Sequence, residues 1–179
     1  FVGFNPYRSR IHPSGRFVLT TLWADDKVAV HALDRRNGRL TEVAGSPFTI
    51  NSQTPVDLKF NADGSRVYVS NFDGNEITLF NMDVVSGRLN LRESVRPRLG
   101  PWSLALAAGE PAQPPAQQIL LATSGTAGLA RLDETKAKFV DSIKGHGDAL
   151  AVAPDGRFAY ALDTAEGSIT SYAVDSGKG

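Results

Sequence analysis

A turn followed by an alternating apolar run occurs three times in this chain, and the spacing of the copies limits what it can fold into. The copies are His12-Pro13-Ser14-Gly15-Arg16-Phe17-Val18, Asn61-Ala62-Asp63-Gly64-Ser65-Arg66-Val67 and Ala153-Pro154-Asp155-Gly156-Arg157-Phe158-Ala159. Their turn glycines, Gly15, Gly64 and Gly156, are 49 and 92 residues apart. Since 92 is twice 46, a degenerate copy is expected midway, at Gly109. A second anchor precedes each turn. Pro6, Pro55 and Gly147 stand nine residues before their glycine, and Pro101 stands eight before Gly109. A third anchor follows. Gly38 of Asn37-Gly38-Arg39-Leu40 and Gly87 of Ser86-Gly87-Arg88-Leu89 both lie 23 residues downstream, and Gly177 lies 21 downstream of Gly156. Several anchors sharing one period mark a repeat architecture.

Each period reads as four short strands. In the second copy they are Val56–Phe60, Arg66–Ser70, Glu76–Phe80 and Leu89–Ser94, separated by turns at Asp63-Gly64, Phe72-Asp73-Gly74-Asn75 and Ser86-Gly87. β-branched and aromatic residues fill the strands, and turn formers fill the gaps. No segment carries a 3.6-residue apolar period long enough for a core helix. A small sheet that is apolar on both faces is stable only between similar sheets, and radial stacking supplies them. The expected fold class is therefore all-β: a β-propeller of about four four-stranded antiparallel blades, three complete and one partial. The blades are expected over 6–54, 55–100, 101–146 and 147–179. The alternative is a β-sandwich, whose strands need share no sequence period. Two closures fit the count. Phe1-Val2-Gly3-Phe4 supplies the outer strand of a small four-bladed ring, or the chain is part of a larger ring. The second is the expectation, and a start at Phe1 rather than Met agrees with it. The third blade carries a proline-rich excursion from Glu110 to Gln118, read as a tolerated loop or as a contact arm.

Composition narrows the function classes. Lys+Arg and Asp+Glu number 19 each, and zero net charge argues against a nucleic-acid module. Arg92, Arg96 and Arg98 are interrupted by Glu93 and read as a solvated outer strand. The absence of cysteine excludes disulfides, thiolate metal sites and a cysteine nucleophile. No apolar run is long enough to span a bilayer as a helix. Walker, G-x-S-x-G and H-E-x-x-H signatures are missing. No cofactor and no metal are expected.

The segment Pro6 to Leu40, with Asn5-Pro6, His12-Pro13-Ser14-Gly15-Arg16-Phe17 and Asn37-Gly38-Arg39-Leu40, resembles the lactonase-like seven-bladed propellers. That family includes bacterial 6-phosphogluconolactonase and fungal carboxy-muconate cyclase. Gly45-Ser46-Pro47-Phe48, Thr54-Pro55 and Asp63-Gly64-Ser65-Arg66-Val67-Tyr68-Val69-Ser70-Asn71 carry the same resemblance. These motifs build blades, so they speak to the fold more than to the activity. They also resemble the YVTN-type repeats of surface and periplasmic proteins, which implies an extracytoplasmic or secreted location. In enzyme-like members, one blade reads Pro-Arg-His at the start of its first strand and Asn-Glu at the end of its second. Here the first blade has Tyr7-Arg8 and Leu22-Trp23 at those places, and only Arg8 retains a cation. The second blade has Val56-Asp57 and Asn71-Phe72, which match neither.

In propeller geometry the loops entering the first strand and those between the second and third open on one face. That face is expected to gather Tyr7, Arg8, Asp57, Trp102, His146 and Asp148 as a ligand or partner surface. Asp25, Asp26, Asp73, Asn75 and Glu166 join it from the second-to-third-strand loops, although tight turns favour Asp and Asn in any case. His146 beside Asp148 is a possible base or metal ligand, whereas His12 reads as a packing and turn residue and His31 as facing a neighbouring blade or solvent. No catalytic residue is assigned. The leading expectation is a non-catalytic ligand- or protein-binding propeller, completed by further blades or a protein partner. The alternative is a lactone hydrolase or a muconate-cyclase-like isomerase.

Overall fold

The computed structural model describes residues 3–97, 100–107, 119–124, 128–133, 138–143 and 147–174. The chain divides into two compact units, Phe1–Ser94 and Val95–Gly179. Each contains two β-sheets whose strands follow one another in chain order, the connectivity of a propeller blade.

In the first unit, the first sheet contains β1 (Pro6–Ile11), β2 (Phe17–Leu22), β3 (Lys27–Leu33), β4 (Leu40–Glu42) and β5 (Phe48–Thr49). The second contains β6 (Pro55–Phe60), β7 (Arg66–Asn71), β8 (Glu76–Met82) and β9 (Leu89–Val95). Four strands were expected in each. The first sheet has five because its outer strand is split, β4 and β5 both pairing with β3. Between them the chain leaves the ladder at Gly45-Ser46-Pro47, since proline has no N–H to offer. The Ser46 hydroxyl returns to accept the Val30 N–H at 3.0 Å, replacing the missing ladder bond. Helical structure among the described residues is one three-residue 3-10 turn, Trp23–Asp25, between β2 and β3. Gly3 to Asn5 is a bend and not a strand, tied down by the Phe4 N–H on Asp25 Oδ2 at 2.8 Å.

The core of this unit lies between its two sheets. Phe17, Leu19, Val28 and Val30 face Leu58, Val67, Val69 and Phe80. Burying an aliphatic or phenyl side chain of this size is worth about 1.5–3 kcal/mol. His12 is embedded at the edge of this core, edge-on to Phe17 and Phe60. The Ser14 N–H donates to its Nδ1 at 3.1 Å, which leaves Nε2–H to donate to the Gly64 carbonyl across the sheets at 3.1 Å. It is a packing residue. His31 is buried on β3, opposite Val18 and Glu42, so it does not face solvent.

The second unit holds β10 (Ser103–Ala107), β11 (Ile119–Ser124), β12 (Gly128–Asp133) and β13 (Lys138–Ile143) in one sheet. β14 (Ala149–Val152), β15 (Phe158–Asp163) and β16 (Ser168–Ala173) form the other. A core of small residues, Ala105, Ala107, Ala159 and Ala161 with Leu150, joins the two. On β15 alternate residues Ala159, Ala161 and Asp163 are buried while Phe158, Tyr160 and Leu162 are exposed. Gly109, the excursion from Glu110 to Gln118, His146, Arg98 and the Ser176-Gly177 turn lie outside the described residues.

The turn glycines occupy equivalent corners. Gly15, Gly64 and Gly156 have φ of 68°, 76° and 74°. Each donates its N–H to the carbonyl three residues earlier, on His12, Asn61 and Ala153.

Candidate ligand-binding site

The chemistry of the first unit concentrates where β1 and β6, the first strands of its two sheets, run side by side. Both strands begin with a proline and both slip register immediately after it, between Pro6 and Arg8 and between Pro55 and Asp57. The bulged residues are Tyr7 and Val56. A bulge leaves the next residue without its regular ladder bonds. A hydroxyl from the second strand supplies them. Thr21 Oγ1 accepts the Arg8 N–H at 3.0 Å and donates to the Arg8 carbonyl at 3.4 Å. Ser70 Oγ does the same for Asp57, at 3.0 and 3.3 Å. Arg8 and Asp57 are thus equivalent positions of two repeats, pinned by equivalent hydroxyls.

Asp57 is the centre of the cluster. Its side chain is 3% exposed, and Oδ1 accepts from Arg10 Nη2 at 3.0 Å and from the Leu58 N–H at 2.9 Å. Arg8 Nε lies 3.8 Å from the same oxygen, its side chain 43% exposed. Lys59 follows two residues along β6. Its amine is held below the usual lysine value, first by burial. Asp57 works against that, and Arg10 and Arg8 push in the same direction as burial. Among the described residues, two arginines thus flank one carboxylate, and the charge of a lysine on the same strand is coupled to all three.

An aromatic pair borders the cluster. The Tyr7 and Trp23 rings meet edge to face with centroids 5.0 Å apart and planes at 61°. The Arg8 guanidinium carbon sits 5.8 Å from the Tyr7 centroid, so one arginine bridges the Tyr7 ring and the carboxylate. Trp23 opens the 3-10 turn after β2, and its N–H donates to the Asn5 carbonyl at 3.0 Å. The same bond recurs in the second sheet, from the Phe72 N–H to the Thr54 carbonyl at 2.9 Å.

Thr54 is the strained residue of this rim. Its φ is +60°, which a β-branched side chain adopts at a cost of about 1–3 kcal/mol. Two carboxylates hold it there. Asp26 Oδ1 accepts its N–H at 2.8 Å and Asp73 Oδ2 accepts its hydroxyl at 2.5 Å. The loop entering β6 and the two second-to-third-strand loops of this unit thus converge on one residue.

Of the six residues expected on one face, Tyr7, Arg8 and Asp57 come together in the first unit. Trp102 and Asp148 belong to the second. The Trp102 N–H donates to the Thr123 carbonyl at 2.7 Å, and the Asp148 N–H to the Leu162 carbonyl at 2.7 Å. The Asp148 carboxylate accepts both the N–H and the hydroxyl of Thr164, closing the loop before β16. His146 lies outside the described residues. Sequence reasoning missed Arg10, Lys59 and Thr54. The signal for the first two was alternation: Arg8 with Arg10, and Asp57 with Lys59, are i, i+2 pairs on adjacent first strands.

A model of the family described as lactonase, seven-bladed β-propeller, matches residues 8–99, just over half of the chain. Among curated proteins none matches. Among solved structures, the periplasmic gluconolactonase of Pseudomonas aeruginosa is similar with a TM-score of 0.72 and 20% identity, over 96% of this chain and 50% of that one. A candidate 6-phosphogluconolactonase from Bacteroides uniformis is similar with a TM-score of 0.68 and 14% identity, over 95% of this chain and 55% of that one. The Cps50 (Swd1) propeller domain of Myceliophteria thermophila is similar with a TM-score of 0.71 and 15% identity, over 95% of this chain and 54% of that one. The chain spans about half the length of these structures, and identities this low speak to fold alone. With its blade-type sheets, its equivalent turn corners and a family match over residues 8–99, the chain belongs to the lactonase family of seven-bladed β-propellers.

Proposed function

We propose that Arg8, Arg10 and Lys59 around Asp57 form an anion-binding site, and that this chain acts as a ligand-binding wall of its propeller. The ligand class is a small molecule bearing a carboxylate or phosphate. The observation that carries this reading is that, among the described residues, Arg8 and Arg10 flank one buried carboxylate, Arg10 at 3.0 Å, with Lys59 next along the same strand. A partly buried cation without a full counter-charge is costly, and a bound anion relieves that cost. Isothermal titration with gluconate and inorganic phosphate tests it. Binding is expected for the unaltered protein, and Lys59→Met is expected to weaken it about tenfold with unchanged circular dichroism. Equal heats for the two proteins end the proposal.

Hydrolysis of a sugar lactone is a second reading, favoured by Lys59. An amine whose proton is loosened by burial and by two arginines can activate water, and those arginines can stabilise the oxyanion that forms at the lactone carbonyl. The family description and the neighbours named as lactonases add support. An extracytoplasmic location belongs to the same reading, supported by the neighbour named as periplasmic. Trp102, His146 and Asp148 are proposed as ligand or partner contacts of the second unit.

A further inference from the structure

The two arginines of the cluster are held in different ways. Arg10 is fixed through its own side chain, whose Nη2 donates to Asp57 Oδ1 at 3.0 Å. Arg8 is held more loosely at its head. Its Nε lies 3.8 Å from the same oxygen, and its guanidinium carbon lies 5.8 Å from the Tyr7 centroid. Both separations exceed a hydrogen bond. The direction of this side chain therefore depends on the backbone it leaves. That backbone has slipped register at the bulge, and Thr21 Oγ1 restores both of its ladder bonds, accepting the Arg8 N–H and donating to the Arg8 carbonyl. Thr21 is itself fully buried, out of reach of any ligand. In the second repeat Ser70 plays the same part for Asp57, but there the carboxylate is also fixed by the Leu58 N–H and by Arg10.

We propose that Thr21 is a positioning residue for anion binding: by pinning the backbone at Arg8 it aims the guanidinium, and it never touches the ligand. This rests on the anion-binding reading above. A cation on a loosened strand start must be ordered when the anion arrives, and the entropy lost at that moment is subtracted from the affinity. A strand start already ordered by folding loses less. Thr21→Val keeps the shape and removes the hydroxyl, so the Arg8 N–H and carbonyl both lose their partner. Thr21→Ser keeps the hydroxyl and removes only a methyl group.

Titration calorimetry with inorganic phosphate, together with amide hydrogen exchange, tests this. Thr21→Val is expected to weaken phosphate binding about three- to tenfold, and Thr21→Ser to restore it. The Arg8 amide is expected to exchange faster in the valine variant than in the serine one. In an Arg8→Gln background Thr21→Val is expected to add no further loss, because its effect passes through Arg8. Thr21→Ala serves if the valine variant fails to fold. Unchanged affinity on loss of the hydroxyl, unchanged exchange at Arg8, or an equal further loss in the Arg8→Gln background overturns the positioning role. Failure of the unaltered protein to bind phosphate overturns the anion-binding reading and this role with it, and differs visibly from equal binding by all variants.

Discussion

Gly64 answers to two constraints at once. Its φ of +76° is the left-handed region, and a Cβ there would lie 1.9 Å from Nε2 of His12. Gly38 shares the first constraint alone, with φ +74° and nothing within 4 Å of a Cβ. Gly38→Ala is therefore expected to cost about 1–2 kcal/mol, from backbone strain. Gly64→Ala is expected to cost about 2–4 kcal/mol, because displacing His12 also breaks its bond to the Gly64 carbonyl. Urea unfolding of both variants measures the difference, and equal midpoints would sink the account. The glycine positions were legible in the sequence, because a left-handed turn leaves glycine as its mark. The contact with His12 was not. Its partner is 52 residues away, and no local pattern reports a side chain crossing between sheets.

Strand existence was legible because alternation and turn residues are local signals. In the second sheet, expected strands at 56–60, 66–70, 76–80 and 89–94 are observed at Pro55–Phe60, Arg66–Asn71, Glu76–Met82 and Leu89–Val95. The split outer strand of the first sheet escaped notice, since Ser46 substitutes for a backbone group only once the sheet exists. Ser46→Ala leaves the buried Val30 N–H without its acceptor. The expected cost is about 1–3 kcal/mol, with faster hydrogen exchange at the Val30 amide than at Val28. Unchanged exchange at Val30 would show that the hydroxyl does not carry that bond. The bulges left a faint trace. Thr21 and Ser70 each stand six residues after their turn glycine, a recurrence that reads as strand polarity until the slipped register shows its purpose.

At the scale of the whole molecule, charge is balanced, with 19 basic and 19 acidic side chains and a pI near 7.0. Phe158, Tyr160 and Leu162 are exposed in a row on β15, and Ile169 on β16. Little electrostatic repulsion opposes association through such a strip at neutral pH. Light scattering is expected to report most self-association near pH 7 and less on either side, and a minimum at pH 7 would contradict this. The repeat itself was legible at this scale. The cation cluster was only half legible, because Arg8 and Asp57 belong to different repeats and only stacking brings them together. The pinned bulge carries a last consequence, for how such a chain can change over generations. Thr21 and Ser70 secure the backbone through the neighbouring residue, so the side chain at Tyr7 or Val56 is released from any duty in the ladder. At an exposed bulge such as Tyr7, one codon can then be rewritten while the scaffold keeps its wiring.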